Sequence, residues 1–251
     1  MNKIIGYIIF TIVVVSTIFL YTKYYKANDM KQEKVIFTFF GAPGCGKGTL
    51  AEQAVNKLGF QVISTGDLCR KNIAEQTEVG KEIEKIIKAG KLVPDELITG
   101  MLTDWIKQNA DPDKPLILDG FPRTKGQARI FAQYLKENMP EYKFRIIKID
   151  LSEEEIVSRL AGRRVCENKA CQAVYHISMP EVQDGICKKC GSKLISRADD
   201  KEEVVRERLN VYNKNEKELL DFYKSNGFEI ETLNIAGLSR KQVFEKFKSI
   251  L

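Results

Sequence analysis

Hydrophobic positions follow two different patterns along this chain. From Ile4 to Tyr21 the sequence IIGYIIFTIVVVSTIFLY contains no charge. At about 1.5 Å per residue, eighteen helical residues span roughly 27 Å, close to the thickness of a hydrocarbon core. Lys3 precedes the run, Lys23 and Lys26 follow it, and Tyr21, Tyr24 and Tyr25 suit a headgroup interface. A cleaved signal peptide would have a shorter apolar core ending in a small-x-small site, which the exit TKYYKAND lacks. The pattern therefore predicts an N-terminal transmembrane helix over about 4–21 and a polar tether to residue 33. Lys23, Lys26, Lys31 and Lys34 outnumber the cations before the run, so a single-pass protein would place its large C-terminal part in the cytoplasm. The alternative localisation is cytoplasmic.

Beyond residue 33 the pattern changes to short apolar runs separated by amphipathic stretches. VIFTFF (35–40), FQVI (60–63), PLILD (115–119), FRIIKID (144–150) and FEIETL (228–233) read as strands. The first and fourth are apolar almost throughout, as strands covered on both faces should be. Helix-length segments lie between them, including 95–108, 125–138 and 200–226. This alternation predicts an α/β fold with a mostly parallel five-stranded sheet over 34–251. The interval 165–196 has four cysteines and no helical period, and reads as an inserted subdomain.

Composition narrows the chemistry. The 251 residues carry 40 Lys and Arg against 34 Asp and Glu, a net +6 that is well mixed along the chain. That excludes a polybasic nucleic-acid arm and leaves room for small anionic ligands. A single histidine argues against histidine-based catalysis, and six cysteines are too sparse for a disulfide scaffold.

Immediately after the first strand comes GAPGCGKGT, Gly41 to Thr49, and then a helical pattern. A glycine-rich turn between strand and helix exposes backbone N–H groups and the positive end of the helix dipole, both of which favour polyphosphate. Lys47 would reach the β- and γ-phosphates. The sequence departs from GxxxxGK[ST] in having Gly48 after the lysine, with the hydroxyl following at Thr49.

Other segments carry groups suited to phosphate anions and their counter-ions. Thr65 and Asp67 stand where a helix would begin, and Arg70 one turn on can fork onto a phosphate. Asp119 ends an apolar strand, where a carboxylate can hold the water shell of Mg²⁺. Arg123 follows in the turn. Gln127 carries an amide that both donates and accepts. Arg159 and Arg163 are four residues apart in SRLAGRR and would share a helix face, as would Arg197 and Arg208 after the insert. Arg206 reads as a solvated helix charge. Cys166 and Cys171, then Cys187 and Cys190, form two knuckles whose four thiolates suit tetrahedral Zn²⁺; the alternative is four free thiols. Cys45 and Cys69 read as buried fillers and Trp105 as core.

Taken in order, GAPGCGKGT (41–49), STGDLCR (64–70), GKLVPDEL (90–97), DGFPRT (119–124) and RADDKEEVVRERL (197–209) resemble the motif set of adenylate kinases, which are nucleoside monophosphate kinases. The resemblance covers about residues 34–251. It implies a P-loop NTPase fold with an AMP-binding helical insert (64–93) and a zinc-ribbon lid (165–196), and the reaction MgATP + AMP ⇌ 2 ADP by direct in-line transfer. ATP would be held by Gly44, Cys45, Gly46, Lys47, Gly48, Thr49, Arg159, Arg163, Val174 and Tyr175. AMP would be held by Thr65, Arg70, Lys91, Leu92, Val93, Gly120, Phe121, Pro122, Arg123, Gln127, Arg197 and Arg208. Lys47, Asp119, Arg123, Arg163, Arg197 and Arg208 would carry the transfer, with Asp199 and Asp200 pairing with arginines as the lid closes. The single His176 would be a lid residue. The cofactors would be Mg²⁺ with ATP and structural Zn²⁺ on Cys166, Cys171, Cys187 and Cys190. Zinc-bearing lids of the family usually read CxxC on both sides, whereas the first knuckle here, CENKAC, is longer by two. The expected partners are the two nucleotides and a membrane, with no nucleic acid, and the catalytic domain would be monomeric. Rival readings are a kinase of UMP/CMP or GMP, a zinc-ribbon nucleic-acid binder, and a non-catalytic scaffold.

Overall fold

The five apolar runs become five parallel strands. The structure, a computed structural model, describes residues 33–251 apart from Lys169 and Gln172. Strands β1 (Val35–Phe40), β2 (Gln61–Ser64), β3 (Leu116–Asp119), β4 (Lys143–Asp150) and β8 (Ile230–Asn234) form one sheet in the order β2-β3-β1-β4-β8. Every neighbouring pair is parallel. All six residues of β1 are buried, because helices cover both faces of this central strand.

The covering helices are α1 (Lys47–Leu58), α2 (Thr65–Ala74), α3 (Glu78–Lys88), α4 (Asp95–Asn109), α5 (Lys125–Asn138), α6 (Glu153–Ala161), α7 (Glu202–Ser225) and α8 (Arg240–Lys248). One core layer gathers Phe37, Phe39, Leu50, Ile117, Ile147 and Phe247. The opposite layer gathers Ile36, Ile83, Leu102, Leu118, Phe121 and Phe131. Each such side chain contributes about 1.5–3 kcal/mol on leaving water. Helices α2 and α3 lie within the interval 64–93, and Trp105 packs against the second layer.

The insert folds as a three-stranded antiparallel sheet of β5 (Arg163–Cys166), β6 (Val174–His176) and β7 (Leu194–Ile195), in the order β6-β5-β7. It has a small core of its own around Cys166, Ala173, Val182, Cys187 and Leu194.

The expected architecture needs one correction. Among the described residues, no helix is long and apolar enough to cross a membrane. The longest, α7, reads EEVVRERLNVYNKNEKELLDFYKS and is charged along its whole length. The apolar run 4–21 lies outside the described residues, and among the described residues the fold is the α/β unit and its insert, with no membrane-spanning helix.

Candidate active site

β1 lies between β3 and β4, so the chain reverses its winding direction there. A crevice opens at the carboxyl ends of strands on either side of such a reversal. Here it is a cleft of about 1060 Å³.

The glycine loop 41–46 curls around the Lys47 ammonium, which donates to the carbonyls of Gly41 (2.7 Å) and Ala42 (2.9 Å). The Cys45 thiol lies 3.6 Å from the same nitrogen and is fully buried. A β-carbon at Gly48 would stand 3.3 Å from Asp119 Oδ2. Glycine after the lysine therefore lets the strand-end carboxylate close on the loop.

The DGFPR turn is held from three directions. The Thr38 hydroxyl donates to the Phe121 carbonyl, and the Thr65 hydroxyl donates to the Gly120 carbonyl at 3.0 Å. The Arg123 backbone N–H donates to Gln127 Oε1 at 2.7 Å. The Arg123 side chain donates from Nε to the Gly120 carbonyl at 2.6 Å. Ser64, rather than Thr65, caps α2 by accepting from Asp67 N–H, because Thr65 is already the first helical residue. Asp67 then pairs with Arg70.

Two expected helix faces do not form. α6 ends at Ala161, so Arg159 is helical while Arg163 opens β5. Arg197 precedes a short 3₁₀ turn, Ala198–Asp200, and only Arg208 lies in α7. Tertiary pairing still brings all four to the cleft. The Arg163 guanidinium forks onto Asp200, with Nε to Oδ2 at 2.7 Å and Nη2 to Oδ1. Arg208 Nη1 donates to the Asp199 side chain (2.8 Å) and carbonyl (2.9 Å). Arg206 pairs with Glu202 at the surface.

The cleft joins Lys47, Asp119, Arg123, Arg159, Arg163, Arg197 and Arg208 with Arg70, Lys91, Leu92, Gly120, Pro122, Val174 and Tyr175. Loop residues 44–49 line it as well. Thr65, Val93, Phe121 and Gln127 are buried and do not line it. Sequence reasoning missed the wall formed by Ile235, Leu238, Ser239 and Arg240. No motif marks them; their only signal is their place after the fifth sheet strand, at its carboxyl end.

Positive charge dominates the cleft. Desolvation by the crowded cleft walls lowers the pKa of Arg123 and Arg208, and desolvation together with Arg70 and Arg163 brings Arg197 down to about 10. These guanidiniums keep their protons at neutral pH, and the strain among them is what a polyanion would relieve. Burial pushes the Asp119 carboxyl up, and Lys47 and Arg123 offset this only in part. Burial also acts to raise Asp199, but Arg208, Arg163 and Arg197 outweigh it and hold the carboxyl below its usual range. A depressed carboxyl stabilises the fold above the unfolded value of about 3.9, and this contribution is lost as pH falls through the lower native value. Asp199→Asn is therefore expected to flatten the drop in melting temperature between about pH 5 and pH 3, as measured by thermal melts across that window.

In the insert, the four sulfurs of Cys166, Cys171, Cys187 and Cys190 all lie within 4.8 Å of one another. Cys166 and Cys190 are 3.3 Å apart, and Cys171 and Cys187 are 3.7 Å apart. Zn–S bonds of about 2.3 Å in a tetrahedron require sulfurs roughly 3.8 Å apart. The long first knuckle is folded back by a turn in which the Asn168 carbonyl accepts from Cys171 N–H at 2.9 Å. Tyr175 places its hydroxyl 3.5 Å from Cys187 Sγ, and His176 bonds Ser178 Oγ at 2.7 Å.

Residues 39–228 match the sequence model of a family described as adenylate kinase. An adenylate kinase of Archaeoglobus fulgidus is 42% identical over 217 residues, covering 84% of this chain and 98% of that protein. One from Methanosarcina barkeri is 40% identical over 214 residues, covering 84% and 96%. One from Finegoldia magna is 42% identical over 209 residues, covering 82% and 95%. The phosphate loop, the arginine-lined cleft at the sheet's winding reversal and these matches along most of the chain agree: the chain belongs to the adenylate kinase family.

Proposed function

We propose that this enzyme moves the terminal phosphoryl group of MgATP to AMP in the arginine-lined cleft, giving two ADP by in-line displacement with no covalent intermediate. The supporting observation is that Lys47, Asp119, Arg123, Arg163, Arg197 and Arg208, drawn from five separated segments, converge on one crevice. A loosely bonded phosphoryl group needs positioning and charge neutralisation more than it needs a nucleophile from the protein.

The geometry supports the following division of labour. The loop amides and Lys47 hold the donor phosphates, while Arg159 and the β6 residues Val174 and Tyr175 border the donor's half of the cleft. Arg70, Arg123 and the 91–92 segment border the acceptor's half, where Gly120 and Pro122 shape the turn. Arg163, Arg197 and Arg208 neutralise charge on the group in transit. Thr65, Phe121, Val93 and Gln127 act from beneath by holding the turn and the arm. Asp119 is an oxygen ligand set against the phosphate loop, the donor type Mg²⁺ prefers. Mg²⁺ bound with ATP neutralises phosphate charge, and Asp119 would hold its water shell.

Four convergent sulfurs are the donor set of a structural zinc, and Cys166, Cys171, Cys187 and Cys190 would carry it. The ion would cross-link a small sheet and reinforce its limited core. Metal analysis is expected to return one zinc per chain. Stripping it, or Cys171→Ser, should cost about 3 kcal/mol and lower the melting temperature by about 6–12 °C. Unchanged melting after complete removal would refute the assignment.

The activity itself is tested by a coupled assay for ADP on the full chain, with AMP, GMP, UMP and CMP as acceptors. AMP is expected to be preferred. Failure to convert AMP would overturn the proposal.

A further inference from the structure

Asp95 is the first residue of α4, and two residues separate it from Lys91 and Leu92, which line the cleft. Its Oδ1 accepts from the Thr124 hydroxyl at 2.8 Å and from Gln127 Nε2 at 3.0 Å. Both partners lead to Arg123. Gln127 passes the contact on through Oε1, which accepts the Arg123 backbone N–H. Thr124 is the neighbour of Arg123 and caps α5 by accepting from Gln127 N–H at 3.0 Å. Gln127 is 2% exposed, and its amide satisfies both neighbours in one orientation only, with NH₂ toward the carboxylate and carbonyl toward the N–H.

Gly126 shows how tightly the carboxylate is seated, because a β-carbon there would stand 2.0 Å from Asp95 Oδ2. An acid in the first turn of a helix is also favoured by the helix dipole. Glu96, exposed and next in sequence, serves that purpose equally and so provides a control.

We propose that Asp95 is a positioning residue for the transfer: its carboxylate locks the Gln127 amide and the Thr124 hydroxyl, and so fixes the backbone of Arg123 relative to the 91–94 segment. This rests on the reading of the cleft given above, with Arg123 on the acceptor side. Charge-assisted hydrogen bonds inside the protein are strong, and losing the acceptor leaves the buried Gln127 amide and the half-buried Thr124 hydroxyl without it.

The test uses Asp95→Ala, Asp95→Asn, Gly126→Ala and Glu96→Gln in the full chain, with steady-state kinetics toward each nucleotide. Asp95→Ala is expected to lower kcat/KM for AMP about tenfold, with KM for ATP within about twofold. Asp95→Asn keeps an Oδ1 acceptor and should stay within about twofold of wild type. Gly126→Ala favours the helix backbone by about 1 kcal/mol, yet it displaces the carboxylate and should also impair AMP use. In the Asp95→Ala background the same change should add nothing, because no carboxylate is left to displace.

Unaltered kcat/KM for AMP in Asp95→Ala would overturn the inference. Equal loss in Asp95→Asn, additivity of the double variant, or a matching defect in Glu96→Gln would do so as well. If Asp95→Ala does not fold, Asp95→Asn and Gly126→Ala still decide the matter. A wild type inactive on AMP would remove the parent reading, whereas an active wild type matched by Asp95→Ala would remove this one alone.

Discussion

Lys47→Met is expected to reduce turnover by about 10³-fold or more, equivalent to roughly 4 kcal/mol of transition-state stabilisation. Methionine keeps an unbranched apolar stem and removes the ammonium. That ammonium donates to the Gly41 and Ala42 carbonyls and lies 3.6 Å from the Cys45 sulfur, all within the loop. Gly41 lines the cleft, so its carbonyl can take water instead, and folding should suffer by only about 1 kcal/mol. The dissociation is diagnostic, with chemistry lost and the melting curve nearly kept. Single-turnover rates beside thermal melts would show it, and normal turnover in the variant would remove the phosphate-loop assignment.

Arg163→Met is expected to impair both properties at once. Its partner Asp200 has a side chain only 3% exposed, and Arg163 itself is 16% exposed. Removing the guanidinium leaves Asp200 buried beside Arg208, which is 3.8 Å away and already committed to Asp199. Breaking such a pair from one side costs about 3–5 kcal/mol. Activity should fall about 10²–10³-fold, because a charge-neutralising group leaves the cleft and the hold of β5 on the 3₁₀ turn is lost. Denaturant titration and kcat measure the two effects separately. A second variant, Asp200→Asn, keeps Arg163 in place and should lose stability with a smaller loss of turnover. If Arg163→Met matched wild type in turnover, the residue would have no part in the transfer.

Much of the cleft was legible in the sequence because its parts are local. The phosphate loop is contiguous, so Gly41 to Thr49 specify it without help from distant residues. The Lys125–Asn138 helix was legible to its ends because Thr124 provides a cap and the apolar period continues to Leu135. The paired cysteines were legible because each pair lies on one short turn.

The errors arose where long-range contacts override local pattern. SRLAGRR has a helical period through Arg163, yet α6 stops at Ala161. A β-carbon at Gly162 would stand 2.1 Å from the His176 ring, and the chain there pairs with β6 instead of continuing to coil. Arg197 and Arg208 have helical spacing, but Asp199 and Asp200 turn toward Arg208 and Arg163 and hold the intervening residues in a 3₁₀ turn. The donating and accepting amide of Gln127 was legible in the sequence, but only the fold shows that it is buried between Asp95 and Arg123.

The sequence by itself determined the order of strands and helices, the phosphate loop and the kinds of charge available, since these depend on neighbours within a few residues. The tertiary structure alone decided which arginine meets which aspartate, which residues face the cleft and which support it from below. Those pairings join segments tens of residues apart, and their strength comes from shared burial that no single stretch of sequence contains.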